Sequence, residues 1–450
     1  MGKELFGTDG IRGVAGEYPL DPPTVHALGM ALGSDVRGVT SDPEVLIGMD
    51  TRESSPWIAA QVAGGLARRG VRVRNAGVIT TPGVAYLTST GPFCAGVMIS
   101  ASHNPYRDNG IKVFSHSGFK LPDEEEHIIE QEIFRLLEEG VDPKPAALQA
   151  DVGLDQQYLE FLISTAPALL TGYRIVLDCG NGGACQLAYD LFSRLGATIT
   201  AINRKPDGRN INLNCGAMHV EGLRQAVLDS KADFGAAFDG DADRAIFVSG
   251  SGKVVNGDGV LLVAGRDMRA SGRLPGDVVV ATVMSNLGLE KALQRHGIRM
   301  LRTPVGDKYV LEEMVRCGAM LGGEQSGHVI FREYATTGDG LLTALRVFEI
   351  AVRDGRNLDE LTAEFAVFPQ RLVNVRVRER RPLEDIPAIA AAIRHCEQTF
   401  GDAGRVVVRY SGTEPLARVM VEGPDLAQVE DCTARIAGAI EQELGTQKGV

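Results

Sequence analysis

At about 150 residues per domain, a chain of 450 residues is long enough for roughly three domains, which excludes a peptide or a single small module. Its 58 acidic against 46 basic residues leave a formal charge of −12, a balance that argues against non-specific nucleic-acid binding and against docking to anionic membranes. Glycine, at 54 residues, stands well above the usual ~7%, as in a chain rich in tight turns and glycine-lined loops.

The N-terminus carries no apolar leader and no later run is long enough to span a bilayer. Phe6 occupies the place where a myristoylation signal needs Ser or Thr. The seven cysteines are scattered and never spaced as CxxC, which suggests neither a disulfide framework nor a structural zinc site. A cytoplasmic location with reduced thiols is the expectation.

One local phrase recurs three times: Leu66-Ala-Arg-Arg-Gly70-Val-Arg-Val73, Phe192-Ser-Arg-Leu-Gly196-Ala-Thr-Ile199 and Leu293-Gln-Arg-His-Gly297-Ile-Arg-Met300. In each, an Arg closes a helix, a Gly suits a left-handed cap, and alternation then starts a strand. Upstream strands are expected at Val45 to Asp50, Arg174 to Asp178 and Asp277 to Val283, so a strand-helix-strand unit is written three times at a domain-sized period. The predicted fold class is α/β: three related mixed-sheet domains followed by a smaller C-terminal α+β domain. The expected boundaries are 1–150, 151–252, 253–368 and 369–450. The acidic stretch Pro122 to Glu139 is expected as a surface helix and 143–150 as a linker. Beyond Pro369, strands Arg371 to Val377, Arg405 to Arg409 and Ala417 to Val421 alternate with helices Ile386 to Thr399 and Leu426 to Leu444.

Four glycine-rich loops carry the chemistry. Met98-Ile-Ser-Ala-Ser102-His103-Asn-Pro105 breaks a strand and presents a hydroxyl beside a His; Ser102 is a candidate nucleophile or phosphoryl carrier, without the G-x-S-x-G of a hydrolase elbow. Lys112 lies on the returning strand, where neighbouring charge or partial burial could lower its pKa into the proton-transfer range. Phe238-Asp239-Gly-Asp241-Ala-Asp243-Arg244 places three carboxylates at i, i+2 and i+4 between apolar strands. In a loop they can converge on one hard cation, read directly as Mg²⁺, and the adjacent Arg244 suits a phosphate. A calcium loop is excluded because Arg244 and Gly250 stand where Gly and Glu are required. The Gly323-Glu324-Gln325-Ser326-Gly327-His328 loop suits a polyol, and Arg409-Tyr410-Ser411-Gly412-Thr413, with Arg418 following, supplies the cations, hydroxyls and amide of a phosphate cradle. Gly180-Asn-Gly-Gly-Ala-Cys185 lacks the last Gly of a dinucleotide fingerprint, and no Walker loop occurs.

These motifs, together with Phe6-Gly-Thr-Asp-Gly-Ile-Arg12-Gly13 and Gly48-Met-Asp50-Thr-Arg52, resemble the α-D-phosphohexomutase family over nearly the whole chain. Gln325 resembles the glucosamine branch. The resemblance implies a four-domain, heart-shaped intramolecular phosphotransferase, an isomerase of glucosamine 6-phosphate and glucosamine 1-phosphate that feeds UDP-N-acetylglucosamine and cell-wall precursor synthesis. The alternative is a mannose or glucose phosphate mutase on the same fold. It further implies a phosphoserine at Ser102, and Mg²⁺ held by Asp239, Asp241, Asp243 and that phosphate. Glucosamine 1,6-bisphosphate would be both intermediate and activator, with Lys112, His328 and Arg12 at the reacting oxygen. Arg244, Glu324 and Ser326 would meet substrate, and Arg409, Ser411, Gly412, Thr413 and Arg418 would clamp the second phosphate. A sugar phosphate is then the ligand, with neither nucleic acid nor membrane as partner, and a homodimer and an activating kinase are further expectations. Two departures stand out: Pro304, where relatives carry Lys and Lys308 is the substitute on offer, and Tyr410 within the clamp. A phosphatase using Asp239 as nucleophile and a non-enzymatic phosphosugar binder are the rival classes.

Overall fold

The computed structural model describes residues 4–7, 9–36, 40–166, 169–411 and 415–446. It divides into two compact units, Met1–Thr282 with Leu301–Ala363, and Val283–Met300 with Glu364–Val450.

The three repeated phrases fold as read. The helices end at Arg68, Arg194 and Arg295, the glycines at 70, 196 and 297 take φ of 74°, 90° and 65°, and strands open at Arg72, Thr198 and Arg299. Only glycine enters that left-handed region at little cost.

In spatial order, the first sheet runs Phe6–Gly7, Gly10–Val14, Asp108–Ser115, Ala95–Ile99, Glu44–Met49 and Arg72–Val78. The second runs Val254–Val255, Ala245–Ser249, Phe234–Phe238, Arg174–Asp178 and Thr198–Ile202. The third runs Arg299–Thr303, Val278–Thr282, Leu321–Gly323 and Val329–Phe331. In each, parallel strands give way to an antiparallel return: Ile99 pairs with Ile111, Phe238 with Ala245 and Gly323 with Val329. The Ser102, Asp239 and Glu324 loops are the three turns of these returns, so the same place in each domain carries chemistry. The strands entering them, Ala95–Ile99, Phe234–Phe238 and Leu321–Gly323, are buried along their length, and the rigid sheet holds each loop at its edge.

The helix Asp123–Glu139 is less solvated than its composition suggests. Ile129, Ile133 and Leu136 enter the core, and Glu130, 2% exposed, accepts hydrogen bonds from the Leu5 and Phe6 amides at 2.7 and 3.1 Å. The seven cysteines are all free thiols. Among the described residues, no helix is long and apolar enough to cross a membrane.

In the second unit, strands Gln370–Arg376, Leu416–Glu422 and Arg405–Tyr410 form an antiparallel sheet packed by helices Pro387–Phe400 and Leu426–Leu444. The helix Leu287–Arg295 is tied into this unit. Its Leu287 amide donates to the buried Glu422 carboxylate at 2.8 Å, and the Asn286 amide group exchanges hydrogen bonds with Phe368.

Candidate active site

Ser102 is 1% exposed and adopts a left-handed φ of 53°, a conformation that costs of order 1 kcal/mol and persists only where the surroundings enforce it. The enforcement is visible. The Ser102 carbonyl accepts from Arg52 Nη2 at 3.1 Å and from Asn212 Nδ2 at 2.9 Å, and the Asn104 carbonyl accepts from the same two side chains. The Ser102 amide donates to Ser100 Oγ, which donates to Asp50 Oδ2 at 2.6 Å. Arg52 and Asp50 form a salt bridge with both side chains at 0% exposure. A Cβ at Gly240 would lie 2.5 Å from the Ser102 carbonyl oxygen, so only glycine lets the second loop approach. The turn thus points Ser102 Oγ at Asp239 Oδ2, 2.7 Å away.

Asp239, Asp241 and Asp243 converge as the sequence predicts. All three are buried, and their nearest oxygens lie within 4.8 Å of one another. Burial, then the charges of Asp243 and Asp241, pushes the Asp239 carboxyl up to about 8. Burial would raise Asp243 too, but Lys112, His328 and Arg244 hold it well below the usual carboxylate range. Asp241 Oδ1 is buried without a hydrogen-bond partner. Three converging carboxylates, one with a buried oxygen that has no hydrogen-bond partner, fit a divalent cation with oxygen ligands.

Lys112 corrects one expectation. It is 1% exposed, with Nζ 2.9 Å from Asp241, 3.1 Å from Asp9 and 3.2 Å from Asp243. Burial favours the neutral amine, but the three carboxylates outweigh it and raise its pKa well above the usual lysine value. The lowered pKa read from the sequence is not found, because Asp9 lies far away in sequence and two of the three loop carboxylates face the amine. Arg12 pairs with Asp9, as does Lys120, which also pairs with Asp307. His328 lies with Nδ1 3.6 Å from Asp243, and its Nε2 accepts from the Gly338 amide at 3.0 Å. Burial opposes a second proton, but Asp243 and then Asp307 outweigh it and raise the ring's pKa, with Nδ1 facing Asp243 and Nε2 3.8 Å from Asp307. His103, with Nδ1 3.3 Å from Ser102 Oγ, is pushed down to about 4 by burial and by the Arg244 and Arg12 cations and is a neutral imidazole.

Arg244 donates its amide to Asp239 Oδ1 at 3.2 Å and bridges to His328 across the strands. Glu324 accepts from the Gly306 amide at 3.0 Å and from Ser326 Oγ at 3.3 Å. Lys308, the substitute cation for Pro304, is instead paired with Asp123.

In the second unit, Arg409 and Arg418 are directly opposite each other on neighbouring strands, and Arg418 Nη2 lies 3.4 Å from Ser411 Oγ. Burial and the Arg418 charge lower the Arg409 pKa, since like charges directly opposite on neighbouring strands repel. Gly412 and Thr413 lie outside the described residues. Tyr410 leaves this face clear: its side chain packs on the domain core and its hydroxyl donates to the Arg381 carbonyl at 2.6 Å.

Behind the site, Asp339 caps the helix Gly340–Asp354 through the Leu342 amide and accepts from Tyr158 OH at 2.6 Å. Burial lifts its pKa from 3.8 to about 6. A raised folded-state value contributes stability that is full below about pH 4 and lost as pH rises through about 6. Relative to Asp339→Asn, which keeps an acceptor for the cap, the wild type is expected to lose roughly 3 kcal/mol of unfolding free energy between those limits. Denaturant titrations of both proteins across that range measure it, and a pH-independent difference would refute it.

Among the roles this geometry gives, those of Asp9, Thr81, Asn212 and Arg52 were not assigned from sequence. Asp9 and Arg52 stood within motifs singled out in the sequence, without these roles.

Comparison with known proteins agrees with the architecture. Four phosphoglucomutase/phosphomannomutase descriptions match: α/β/α domain I over residues 3–139, domain II over 156–252, domain III over 256–368, and the C-terminal domain over 372–439. The phosphoglucosamine mutase of Solibacter usitatus is 66% identical, covering 99% of this chain and 100% of its own. That of Koribacter versatilis is 54% identical, covering 98% of each. A phosphoglucomutase/phosphomannomutase family protein of Burkholderia thailandensis superimposes with a TM-score of 0.80 at 23% identity over 98% of this chain and 99% of its own. Aspergillus fumigatus N-acetylphosphoglucosamine mutase, solved with GlcNAc-6P and magnesium, gives 0.62 at 20% identity over 98% and 96%.

Proposed function

Because the chain belongs to the phosphoglucomutase/phosphomannomutase family, we propose that it interconverts glucosamine 6-phosphate and glucosamine 1-phosphate, carrying the transferred phosphoryl group on Ser102. The observation that carries this reading is Ser102 Oγ, held by a strained turn 2.7 Å from Asp239 and beside a buried carboxylate triad. A nucleophile that needs no further positioning is what phosphoryl transfer requires, since there positioning and charge stabilisation do most of the work.

In the forward half-reaction the Ser102 Oγ–P bond breaks as a bond forms from phosphorus to the sugar hydroxyl oxygen, and the hydroxyl proton ends on Ser102 Oγ. The product is glucosamine 1,6-bisphosphate, and the return half-reaction uses its other phosphate. Lys112, Arg12 and Arg244 supply positive charge near the reacting oxygens, and His103, neutral and 3.3 Å from Oγ, is placed to relay the proton. His328 holds Asp243. Glu324 and Ser326 are assigned the sugar hydroxyls. The phosphate that is not transferred is assigned to Arg409, Ser411, Gly412, Thr413 and Arg418. Asp239, Asp241 and Asp243 would hold Mg²⁺, which supplies neutralisation of phosphoryl charge when bound.

The names of the relatives at 66% and 54% identity favour the amino sugar over glucose or mannose phosphates. A coupled assay with Mg²⁺ and sugar 1,6-bisphosphate tests this. The kcat/KM for glucosamine phosphate is expected to exceed that for glucose and mannose phosphates by at least about tenfold. Equal or greater activity on the neutral sugars would overturn the substrate and keep the mechanism.

A further inference from the structure

Thr81 grips Asp241 from outside its own loop, contacting it twice. Thr81 Oγ1 donates to Asp241 Oδ2 at 2.5 Å, and the Thr81 amide donates to the Asp241 carbonyl at 2.9 Å. Thr81 is 0% exposed and opens the helix Thr81–Thr90, whose first turn is fixed by Thr80 capping the Gly83 amide and by Pro82. The first amides of a helix have no partner within it, so the Thr81 N–H is available to the neighbouring loop at no cost to the helix. With Lys112 donating to the same Oδ2 at 2.9 Å, that oxygen has two donors and Oδ1 has none.

This asymmetry has a chemical consequence. A carboxylate with one oxygen tied back by two donors offers a cation a single oxygen. Mg²⁺ accepts six ligands at about 2.0–2.1 Å in a near-ideal octahedron, whereas Ca²⁺ takes six to eight at about 2.3–2.6 Å and readily uses carboxylates through both oxygens. We propose that Thr81 is a positioning residue that makes Asp241 a one-oxygen ligand and thereby sets the preference of the triad for Mg²⁺ over Ca²⁺. The inference rests on the assignment of the triad as a divalent-cation site. Without the hydroxyl, Asp241 retains only Lys112 on Oδ2 and is free to turn both oxygens to the larger ion.

The test uses the full-length protein without sugar phosphate. Bound Mn²⁺ is followed by the electron paramagnetic resonance of the free ion and displaced by Mg²⁺ or Ca²⁺, which gives the ratio of Ca²⁺ to Mg²⁺ dissociation constants. Thr81→Val, close in shape but without the hydroxyl, is expected to lower that ratio at least about tenfold, and Thr81→Ser to restore it to within about threefold of wild type. A general loss of packing would weaken both ions alike and leave the ratio unchanged. Thr81→Ala serves in place of Thr81→Val should the latter melt below the assay temperature. An unchanged ratio in the valine or alanine variant, with Mn²⁺ still bound, overturns the role of Thr81 and spares the metal site. Failure of wild type to bind Mn²⁺, or binding undiminished in Asp239→Asn and Asp241→Asn, overturns the metal site and this inference with it.

Discussion

Replacing Ser102 with alanine is expected to lower kcat/KM for glucosamine 6-phosphate by at least about 10⁴-fold, the scale on which loss of a covalent nucleophile acts, with little change in thermal stability. The hydroxyl contributes hydrogen bonds to Asp239 and His103 only, while the turn around it is held by main-chain contacts from Arg52, Asn212 and Ser100 that alanine leaves intact. Incubation with labelled sugar 1,6-bisphosphate gives the companion readout: label should transfer to wild type and not to the variant. The phosphatase reading predicts the reverse dependence, with phosphate release surviving Ser102→Ala and abolished by Asp239→Asn. That pair of results would replace the mutase mechanism altogether.

The largest effect on stability is expected at Arg52. Arg52→Met keeps much of the side-chain volume but leaves the Asp50 carboxylate buried at 1% exposure without its cation. It also strips one donor from each of the Ser102 and Asn104 carbonyls. Breaking one side of a buried ion pair costs about 3–5 kcal/mol. Ser55 Oγ and Ser100 Oγ still donate to Asp50, so the lower half of that range is expected. Activity should fall together with stability, because the left-handed turn at Ser102 is no longer enforced from both sides. Equilibrium denaturation and kcat/KM measured on the same preparation separate the two effects. A variant within about 1 kcal/mol of wild type would show that Asn212 and the neighbouring hydroxyls suffice.

The sequence was most legible where a local rule acts over a few residues. The Arg-x-Gly phrases could be read as helix end and strand start because the glycine conformation and the alternation beyond it are both local, and all three lie where expected. The Asp239 loop was legible because carboxylates two residues apart on a loop converge without help from elsewhere. What surrounds those carboxylates was not. Asp9, Lys112 and Thr81 reach the second domain's loop from three separate places in the first, and their meeting depends on tertiary packing that no window of sequence contains. Lys112 was therefore seen as a lysine near a serine, when its environment is set by three acids. The Asn212 amide, 110 positions from the carbonyl it holds, left no local signal beyond its place in an Asn-rich turn. The basic pair of the small C-terminal sheet was legible in kind, with Arg409 and Arg418 in register. Tyr410 drew attention there without reason, since adjacent residues on a strand point to opposite sides.

The partners of the Asp239 loop have a consequence for how the molecule is made. Synthesis proceeds from the N-terminus and domains tend to fold in that order. Thr81 and Lys112 have left the ribosome more than a hundred residues before Asp241 appears, so the nascent acidic loop meets cations and donors already in place. Reversing that order, by a circular permutation that moves the first domain to the end, would expose a loop of three mutually repelling carboxylates for the rest of translation. The native order of the domains thus serves as a chaperone for this acidic turn.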